Sequence, residues 1–295
     1  MLSENEIYFS AALGMFDGLH AGHLSVLKKS FEIARESGLR SAVFTFSVKN
    51  DAGVVFPEHN FILSDRQKEH KLRSMGFDKL MMPRFSEIKD TTAEDFLKDY
   101  LINQENIRAI ICGEDFRFGK NAACDADGLK RLAADCGIEV FIVPLLKDSA
   151  GVKISSTRIR EDIKNGNFIK ANTALGFCYA ISGIVIDGSH LGRTLGFPTA
   201  NIEIPKEQIL PRLGVYKTTV TVSGRNYLAI TNVGQKPTIP GERKPLAESF
   251  LIDFDGDLYG TEITVTFEEF IRPEMKFDNL EDLKKQMIKD SKIYG

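Results

Sequence analysis

A glycine-rich run in the second half of the chain has the residue types of a phosphate-binding loop. Its glycines allow the backbone to bend sharply and to approach a bulky ligand, and an arginine between them adds a permanent charge. The run contains Gly188, Gly192, Arg193, Gly196 and Pro198. Thr199 and Asn201 follow, and in an extended segment their side chains lie on one face, where their oxygens suit Mg²⁺. The alternative is an ordinary surface loop that leads into an edge strand.

Two histidines in the first half stand at a predicted turn from a strand into a helix. An apolar stripe over residues 24–34 predicts this helix, and His20 and His23 lie at its beginning. The positive end of a helix dipole favours phosphate, and Gly22 lets a substrate approach the backbone. Both imidazoles could donate hydrogen bonds to a triphosphate. The alternatives are helix-capping histidines, or a zinc site, although no cysteine or carboxylate stands at the usual ligand spacing.

A second candidate for holding phosphate lies at the beginning of the helix predicted over residues 156–164. Ser155, Ser156 and Thr157 supply hydroxyl groups there, which would ordinarily serve as N-caps. Arg158 lies in the first turn, where a guanidinium group opposes the helix dipole unless it holds an anion. This local conflict favours a functional interpretation.

Residues 113–120 superficially suggest a Walker A loop. Five residues separate the two glycines instead of four, and Asn121 replaces the serine or threonine, so we reject that interpretation. By physical argument alone, Phe116 and Phe118 are more typical of core residues than of residues that stack on a ligand ring.

Taken together, these motifs resemble the prokaryotic bifunctional riboflavin kinase/FAD synthetase (FMN adenylyltransferase) family. Residues 192–201 match the riboflavin kinase signature Gly-Arg-x-Leu-Gly-Phe-Pro-Thr-Ala-Asn at every fixed position. In the first half, Gly-x-Phe-Asp-Gly at 14–18 precedes His-x-Gly-His at 20–23, which resembles the nucleotidylyltransferase superfamily. Residues 113–119 match the family's Gly-x-Asp-Phe-Arg-Phe-Gly motif, and residues 155–160 resemble its Ser-Ser-Thr-x-Ile-Arg motif.

For the first half, the resemblance implies transfer of AMP from ATP to FMN, with FAD and pyrophosphate as products. It implies that His20, His23 and Arg158 are catalytic, because they would stabilise charge that develops on the phosphates. The nucleotide-binding residues it implies are Gly14, Phe16, Asp17, Gly22, Ser155, Ser156 and Thr157. The flavin-binding residues it implies here are Asp115, Phe116 and Phe118.

For the second half, the resemblance implies transfer of the γ-phosphoryl group of ATP to riboflavin, with FMN as product. Glu248 aligns with the family's catalytic base, whereas an isolated glutamate at a strand start is more often a solvated charge. Thr199 and Asn201 would bind Mg²⁺, and residues 188–198 would cover the nucleotide. The flavin-binding residues it implies in this half are Asn232, Arg272, Glu274 and Phe277.

One departure from the family pattern bears on the first half. Family members carry a Pro-His-Pro segment after the strand that ends in Thr-Phe, where this chain has Ser47-Val48-Lys49. Two alternatives to a bifunctional enzyme therefore stay open. One is a riboflavin kinase with a weakened adenylyltransferase half, and the other is a non-enzymatic sensor of flavin or nucleotide.

The periodicity predicts two domains, at residues 1–170 and 171–295. Strands alternate with helices in the first, which predicts an α/β doubly wound parallel sheet. The predicted strands are 7–13, 41–46, 79–82, 107–112 and 139–144, and the further predicted helices are 64–75, 91–102 and 127–136. The second shows strands without intervening helices, which predicts a small all-β barrel. Its predicted strands are 181–186, 215–222, 227–233, 248–254 and 263–270, before a helix over 280–289.

Composition limits the classes of protein to consider. With 295 residues, the chain can bury two cores, and a net charge of −3 argues against nucleic acid as the main partner. Neither a targeting segment nor an apolar run long enough for a membrane helix is evident. The four widely spaced cysteines favour free thiols in the cytoplasm. We therefore expect small-molecule partners, and a monomer or weak oligomer.

Overall fold

The computed structural model describes residues 6–48, 60–187, 199–239, 242–277 and 279–294. The chain divides into two compact units, residues 1–57 with 63–156, and residues 58–62 with 157–295. The domain boundary at residue 170 stays a prediction, and the units divide after Ser156. No helix in the described ranges is long and apolar enough to cross a membrane.

The first unit is built on a five-stranded parallel sheet, as the alternation of strands and helices predicts. Its strand order is β3-β2-β1-β4-β7, so the chain winds in both directions from β1. The strands are β1 Phe9–Leu13, β2 Arg40–Phe44, β3 Lys79–Met81, β4 Ile107–Gly113 and β7 Glu139–Val143. A separate antiparallel pair consists of β5 Arg117–Phe118 and β6 Cys124–Asp125.

Helices cover this sheet, and their boundaries follow local capping chemistry. They are α1 Ala21–Glu36, α2 Asp65–Ser74, α3 Phe85–Ile88, α4 Ala93–Asp95 and α5 Ala126–Ala134. α2 begins at a complete capping box, in which Ser64 and Gln67 satisfy each other's backbone N–H groups. α4 continues as a π-helix at Phe96–Gln104, where the sequence predicts an α-helix.

A large part of the core of the first unit lies between strands β1, β2 and β4 and two helices, the π-helix and α5. Leu13, Phe44 and Ile110 are buried on the strands, and Leu97 and Leu129 close over them from the π-helix and α5. The carboxyl ends of the central strands are therefore fixed by packing. Their succeeding turns carry the candidate site residues.

The second unit contains a six-stranded antiparallel sheet in the order β8-β13-β10-β11-β12-β9. The strands are β8 Ala180–Ile184, β9 Thr199–Glu203, β10 Gly214–Val222, β11 Arg225–Ile239, β12 Glu242–Leu251 and β13 Glu262–Arg272. A bridge between Ile186 and Asn201 brings the two edge strands together, so the sheet curls into a nearly closed barrel. This confirms the predicted barrel.

Three helices belong wholly or largely to this unit. They are α6 Ser156–Lys164, α7 Phe168–Leu175 and α8 Leu280–Ser291. α6 has the predicted bounds, whereas α7 lies where the sequence predicts only a domain boundary. Phe168 on α7 is fully buried and packs against Tyr216 and Phe267 of the barrel, so this helix closes one end of the barrel core.

Two predicted details of the barrel strands are wrong. β12 begins at Glu242 and ends at Leu251, rather than running over 248–254. Its connection to β13 is consequently a ten-residue loop, not a tight hairpin at Asp255-Gly256. The predicted turn at Ser223-Gly224 is confirmed, because both residues have positive φ and directly join β10 to β11.

A buried ion pair anchors α8 to the end of β13. Arg272 Nε donates to Asp290 Oδ1 at 3.2 Å and to Oδ2 at 3.1 Å, and Nη2 donates to Oδ2 at 2.7 Å. Gln286 also donates to Asp290, and the Asp290 side chain is only 5% exposed. Removal of the carboxylate would leave a largely buried guanidinium group unpaired.

Asp290→Asn should therefore release α8 from the barrel. Breaking such a pair costs about 3 kcal/mol, so backbone amide exchange in α8 should accelerate about 100-fold. Hydrogen exchange followed by mass spectrometry measures this directly. Glu281→Gln, which breaks the exposed pair of Glu281 with Lys285 on the same helix, is the control and should change exchange only a few-fold. Equal exchange in both variants would contradict the anchoring role.

Candidate functional site

The turn after β1 presents the first group of predicted site residues. Phe16 and Leu19 both have positive φ, at 49° and 46°, which is unusual for non-glycine residues and holds the turn in a sharply bent form. The Phe16 ring is buried under this turn and leaves no room for a side chain at residue 14, because a Cβ added to Gly14 would lie 3.0 Å from the ring. The turn delivers Asp17, His20 and His23 to the beginning of α1.

The two histidines are stacked at the beginning of α1, where the His20 side chain is buried and the His23 side chain is half-buried. Their ring centroids are 3.7 Å apart with an interplanar angle of 18°, and the Phe16 ring meets His23 edge-on. His20 is the N-cap residue, and its Nδ1 accepts from the backbone N–H of His23 at 3.3 Å. A Cβ on Gly22 would lie 3.2 Å from the His20 ring, so glycine permits the stacking. His23 Nδ1 is buried without a hydrogen-bond partner among the described residues.

Burial keeps both imidazoles neutral. Desolvation lowers the pKa of His20 to about 4, against a smaller opposing effect of Asp115. The pKa of His23 lies well below its usual value, because of burial first and then the nearby His20 and Lys68. Since His20 Nδ1 accepts a hydrogen bond, the neutral ring is assigned its proton on Nε2. A phosphate bound nearby would meet a hydrogen-bond donor there.

One of the predicted hydroxyl groups at the beginning of α6 is hydrogen-bonded to the turn after β1. Ser156 Oγ donates to the backbone oxygen of Asp17 at 2.7 Å, and the Asp17 side chain is itself buried. Ser155 lies half-buried just before the helix. Thr157 and Arg158 follow in the first turn of α6 and belong to the second compact unit.

Aromatic side chains predicted to contact flavin lie after β4. The Phe116 and Phe118 rings are stacked with centroids 5.7 Å apart, and Phe118 also approaches Phe96 of the π-helix. Phe118 is buried in the core, whereas Phe116 is half-buried. Asp115 forms an exposed ion pair with Lys153 at 2.7 Å. Phe116 is therefore the ring of this pair that a ligand could reach.

The segment that replaces the family's Pro-His-Pro is held by Asp65 and Lys68, which the sequence predicts only as part of the helix over 64–75. Asp65 Oδ2 accepts from Ser47 Oγ at 2.6 Å and from the Val48 backbone at 2.9 Å. Lys68 Nζ donates to the Phe46 backbone oxygen at 2.6 Å. A lysine within a polar helix gives no sequence signal of burial, so only the tertiary structure identifies these contacts.

In the barrel, strand register brings the predicted metal ligands and the predicted base together. Asn201 of β9 is directly opposite Glu248 of β12, and Thr199 is opposite Phe250. Thr199 Oγ1 donates to Glu248 Oε1 at 3.0 Å. The Asn201 side chain is buried, and its Oδ1 has no hydrogen-bond partner in the described part of the chain.

The side-chain oxygens of Thr199 and Asn201 suit a hard cation as ligands. A buried amide oxygen without a partner costs free energy unless something binds it, and the Thr199 hydroxyl keeps lone pairs free while it donates to Glu248. Neutral oxygens beside a carboxylate are ligands that Mg²⁺ accepts. Among the described residues, no cluster of three or more His, Cys, Asp and Glu side chains could hold a metal.

The predicted flavin-binding residues of the barrel lie in the middle of β11 and at or beyond the end of β13. Asn232 Nδ2 donates to Glu274 Oε1 at 3.4 Å, and a side chain at Gly234 would overlap the Glu274 carboxylate. Arg272 instead binds Asp290, so in this structure its guanidinium group holds α8. Phe277 is half-buried after β13. The flavin-binding roles of these residues remain predictions.

Part of the predicted nucleotide loop lies outside the described residues. It includes Gly188, Gly192, Arg193, Gly196 and Pro198, and Lys49 of the departing segment is likewise outside them. Their roles therefore stay predictions from the sequence.

Comparison with protein-family models assigns both halves. Residues 3–158 match the FAD synthetase model, and residues 175–294 match the riboflavin kinase model. The chain belongs to the bifunctional riboflavin kinase/FAD synthetase family. A riboflavin kinase/FMN adenylyltransferase from Listeria monocytogenes is 34% identical over 282 residues, which cover 95% of this chain and 89% of the relative. The Bacillus subtilis relative of that name is 33% identical, over 98% of this chain and 92% of the relative.

A solved structure also matches nearly the whole chain. It is a macrolide-efflux protein from Streptococcus pneumoniae, with a TM-score of 0.84 and 33% sequence identity over 98% of this chain and 94% of that one. That name is a statement about the pneumococcal protein. Shared architecture does not assign an activity, so function here is argued from the site residues of the family.

The buried histidines generate a prediction about protonation. In the free protein, we expect His20 to titrate near pH 4 and His23 well below pH 6.5, because burial disfavours the charged ring. NMR titration of the imidazole resonances, assigned with His20→Gln and His23→Gln, measures both pKa values. In urea, the same resonances should titrate at the ordinary value of about 6.5.

The lowered pKa values of the two histidines also make the stability of the protein depend on pH. Between about pH 6.5 and pH 4 the unfolded chain binds protons at these rings that the folded chain excludes, so the free energy of unfolding should fall as the pH falls. Folded-state titration of both rings near pH 6.5 would contradict burial of the pair.

Proposed function

We propose that this protein makes FMN and FAD from riboflavin in two steps that use ATP. The second half transfers the γ-phosphoryl group of ATP to the primary hydroxyl of riboflavin and releases ADP. The first half transfers AMP from a second ATP to FMN and releases pyrophosphate. The observation that carries the proposal is that both family models match, each over a half whose described phosphate-handling candidates cluster.

In the kinase half, Glu248 is the proposed general base. The riboflavin hydroxyl must lose a proton as it attacks the γ-phosphorus, and a carboxylate accepts that proton. The Thr199 hydroxyl donates to Glu248 Oε1 at 3.0 Å, which helps to fix the orientation of the carboxylate. This contact supports the role, since a solvated edge charge would not need it.

Thr199 and Asn201 are the proposed ligands of Mg²⁺. When bound, Mg²⁺ would neutralise negative charge on the phosphates of ATP. Support comes from the buried Asn201 Oδ1, which lacks a partner among the described residues, and from its position opposite Glu248. Thr199 also donates to the proposed base, so it would link cation binding to proton removal.

In the adenylyltransferase half, His20 and His23 are proposed to donate hydrogen bonds to the triphosphate, with Ser156 and Arg158 holding it from the beginning of α6. FMN attacks the α-phosphorus directly, so no covalent enzyme intermediate is required. Negative charge builds on the pyrophosphate that leaves, and it favours protonation of the buried imidazoles. The stacked arrangement at 3.7 Å presents both rings to one ligand.

The alternative of a kinase with a weakened adenylyltransferase half rests on the missing Pro-His-Pro segment. Ser47 and Val48 are nevertheless held firmly, through Asp65 at 2.6 and 2.9 Å. These contacts of Ser47 and Val48 favour the bifunctional proposal. The protein would be cytoplasmic, act on small molecules, and exist as a monomer or weak oligomer.

Glu248→Gln should separate the two activities. Loss of a general base lowers rates by about 10²- to 10⁴-fold, so riboflavin phosphorylation should nearly disappear. Conversion of supplied FMN to FAD should continue at the original rate. Chromatography of the flavins measures both. Glu269→Gln, which changes an exposed glutamate on β13, is the control. Loss of both activities in Glu248→Gln alone would show that the halves are not independent.

Asn201→Ala tests the cation site. It removes a proposed ligand, so the Mg²⁺ concentration for half-maximal kinase rate should rise about tenfold or more. The kinase rate at varied Mg²⁺ gives this value. Asn226→Ala, which changes an exposed asparagine on the same sheet, should leave it unaltered. An unchanged Mg²⁺ requirement in Asn201→Ala would remove Asn201 from the ligand set.

A further inference from the structure

Lys68 is a buried lysine at the site of the first unit for which the family motifs quoted above give no role. It lies in the first turns of α2 and is 4% exposed. Lysine is almost never buried unless its charge is satisfied, because desolvation of an ammonium group is costly. The contacts of the Lys68 ammonium group must therefore offset the cost of its burial.

The contacts of Lys68 join two turns at the carboxyl edge of the sheet. Its Nζ donates to the backbone oxygen of Phe46 at 2.6 Å and approaches that of Met15 at 3.5 Å. The Met15 oxygen also accepts from Thr45 Oγ1 at 2.8 Å. Asp65, one turn earlier on α2, lies 4.0 Å from Nζ. One ammonium group thus connects the turn after β1 with the segment after β2.

Both connected segments carry site residues. Met15 directly precedes Phe16, whose positive φ shapes the turn that leads to Asp17 and the histidines. Phe46 directly precedes Ser47 and Val48, which occupy the place of the family's Pro-His-Pro. Because Asp65 binds Ser47 and Val48 while Lys68 binds Phe46, the first turn of α2 determines where this replacement segment lies.

The charge of Lys68 also acts on the histidine pair. The charged and titratable groups that interact with it are Asp65 from α2, Asp17 from the turn after β1, and His23 from α1. Burial lowers the pKa of Lys68, while Asp65 and Asp17 oppose this effect. The ammonium group in turn disfavours a second positive charge on His23, in addition to burial and His20.

We propose that Lys68 is a positioning residue for FMN adenylylation, which holds the turn after β1 and the segment after β2 in the geometry that the reaction needs. The inference rests on the proposed function of the first half. It differs from a purely structural role, because a fold-stabilising lysine would affect stability without changing turnover or the protonation of His23.

Three substitutions separate these roles. Lys68→Met keeps the apolar stem and removes the charge, Lys68→Gln keeps a neutral donor, and Lys68→Arg keeps the charge. Since small displacements of reacting groups cost up to about 100-fold, kcat for FMN adenylylation should fall about 10- to 100-fold in Lys68→Met, with a smaller change in KM. Lys68→Arg should recover part of kcat, and more of it than Lys68→Gln.

The pKa of His23 provides a second measurement, which does not depend on enzyme turnover. NMR titration should show a higher pKa for His23 in Lys68→Met and Lys68→Gln than in the unaltered chain, and no rise in Lys68→Arg. Riboflavin phosphorylation by the same samples should stay within about twofold, which shows that the chain is folded and active elsewhere. Lys71→Met removes a half-buried lysine from the same helix and should leave both adenylylation and the His23 pKa unchanged.

The possible results separate the proposed adenylyltransferase function of the first half from the proposed role of Lys68. If the unaltered chain makes no FAD from FMN, the proposed function of the first half fails. If it makes FAD and the Lys68 variants keep the original kcat and His23 pKa, the role of Lys68 fails while the function stands. Equal losses in Lys68→Met and Lys71→Met would also overturn it. If Lys68→Met does not fold, a comparison of kcat and of the His23 pKa between Lys68→Gln and Lys68→Arg tests the role of Lys68 in the same way.

Discussion

The fold buries polar atoms at both candidate sites and leaves them without a partner from the described part of the chain. These atoms are Nδ1 of His23 and Oδ1 of Asn201. Each such atom costs about 1–3 kcal/mol, which surrounding packing must offset. A substrate or cation that binds them recovers this free energy, and it does so away from bulk water, where hydrogen bonds are stronger. The rest of each unit is understood as the support that keeps these atoms in place.

The two units provide this support by different means. In the first, a parallel sheet fixes the carboxyl ends of β1 and β2, and the residues that follow are bent by positive φ at Phe16 and Leu19. In the second, antiparallel register alone places Asn201 opposite Glu248. A shift of β9 by one residue against β12 would turn the Asn201 side chain to the other face of the sheet, away from Glu248. The candidate kinase site therefore depends on barrel register, and the candidate adenylyltransferase site depends on packing below a strained turn.

The sequence predicted those features that depend on local chemistry. The beginning of α2 after Ser64 and the bounds of α6 follow from short-range patterns. The site roles of His20, His23 and Glu248 come from family motifs and stay predictions. The start of β12 at Glu242 was missed, and the part that was missed contains Pro245, a residue type that is uncommon within strands. Proline is tolerated there because pairing with β9 ends at this point. The Pro245 oxygen accepts from the Ile204 backbone N–H at 3.1 Å, and the described residues before Pro245 pair with β11.

Other features depend on tertiary structure, which no local pattern contains. Lys68 lies in a polar helix with low hydrophobicity, yet backbone carbonyls from two distant turns make its burial possible. Arg272 matches a family motif, but its partner Asp290 lies on a helix 18 residues away. The buried atoms Nδ1 of His23 and Oδ1 of Asn201 could not be predicted either. Only the complete fold decides which polar atoms remain without partners among the described residues.

The most direct test of two working sites is the time course of flavins with the full, unaltered chain. The protein is incubated with riboflavin, ATP and Mg²⁺, and riboflavin, FMN and FAD are separated by chromatography at successive times. We expect riboflavin to decline, FMN to rise and then fall, and FAD to accumulate together with pyrophosphate. FMN that accumulates without FAD, or riboflavin that stays unconverted, would contradict the account.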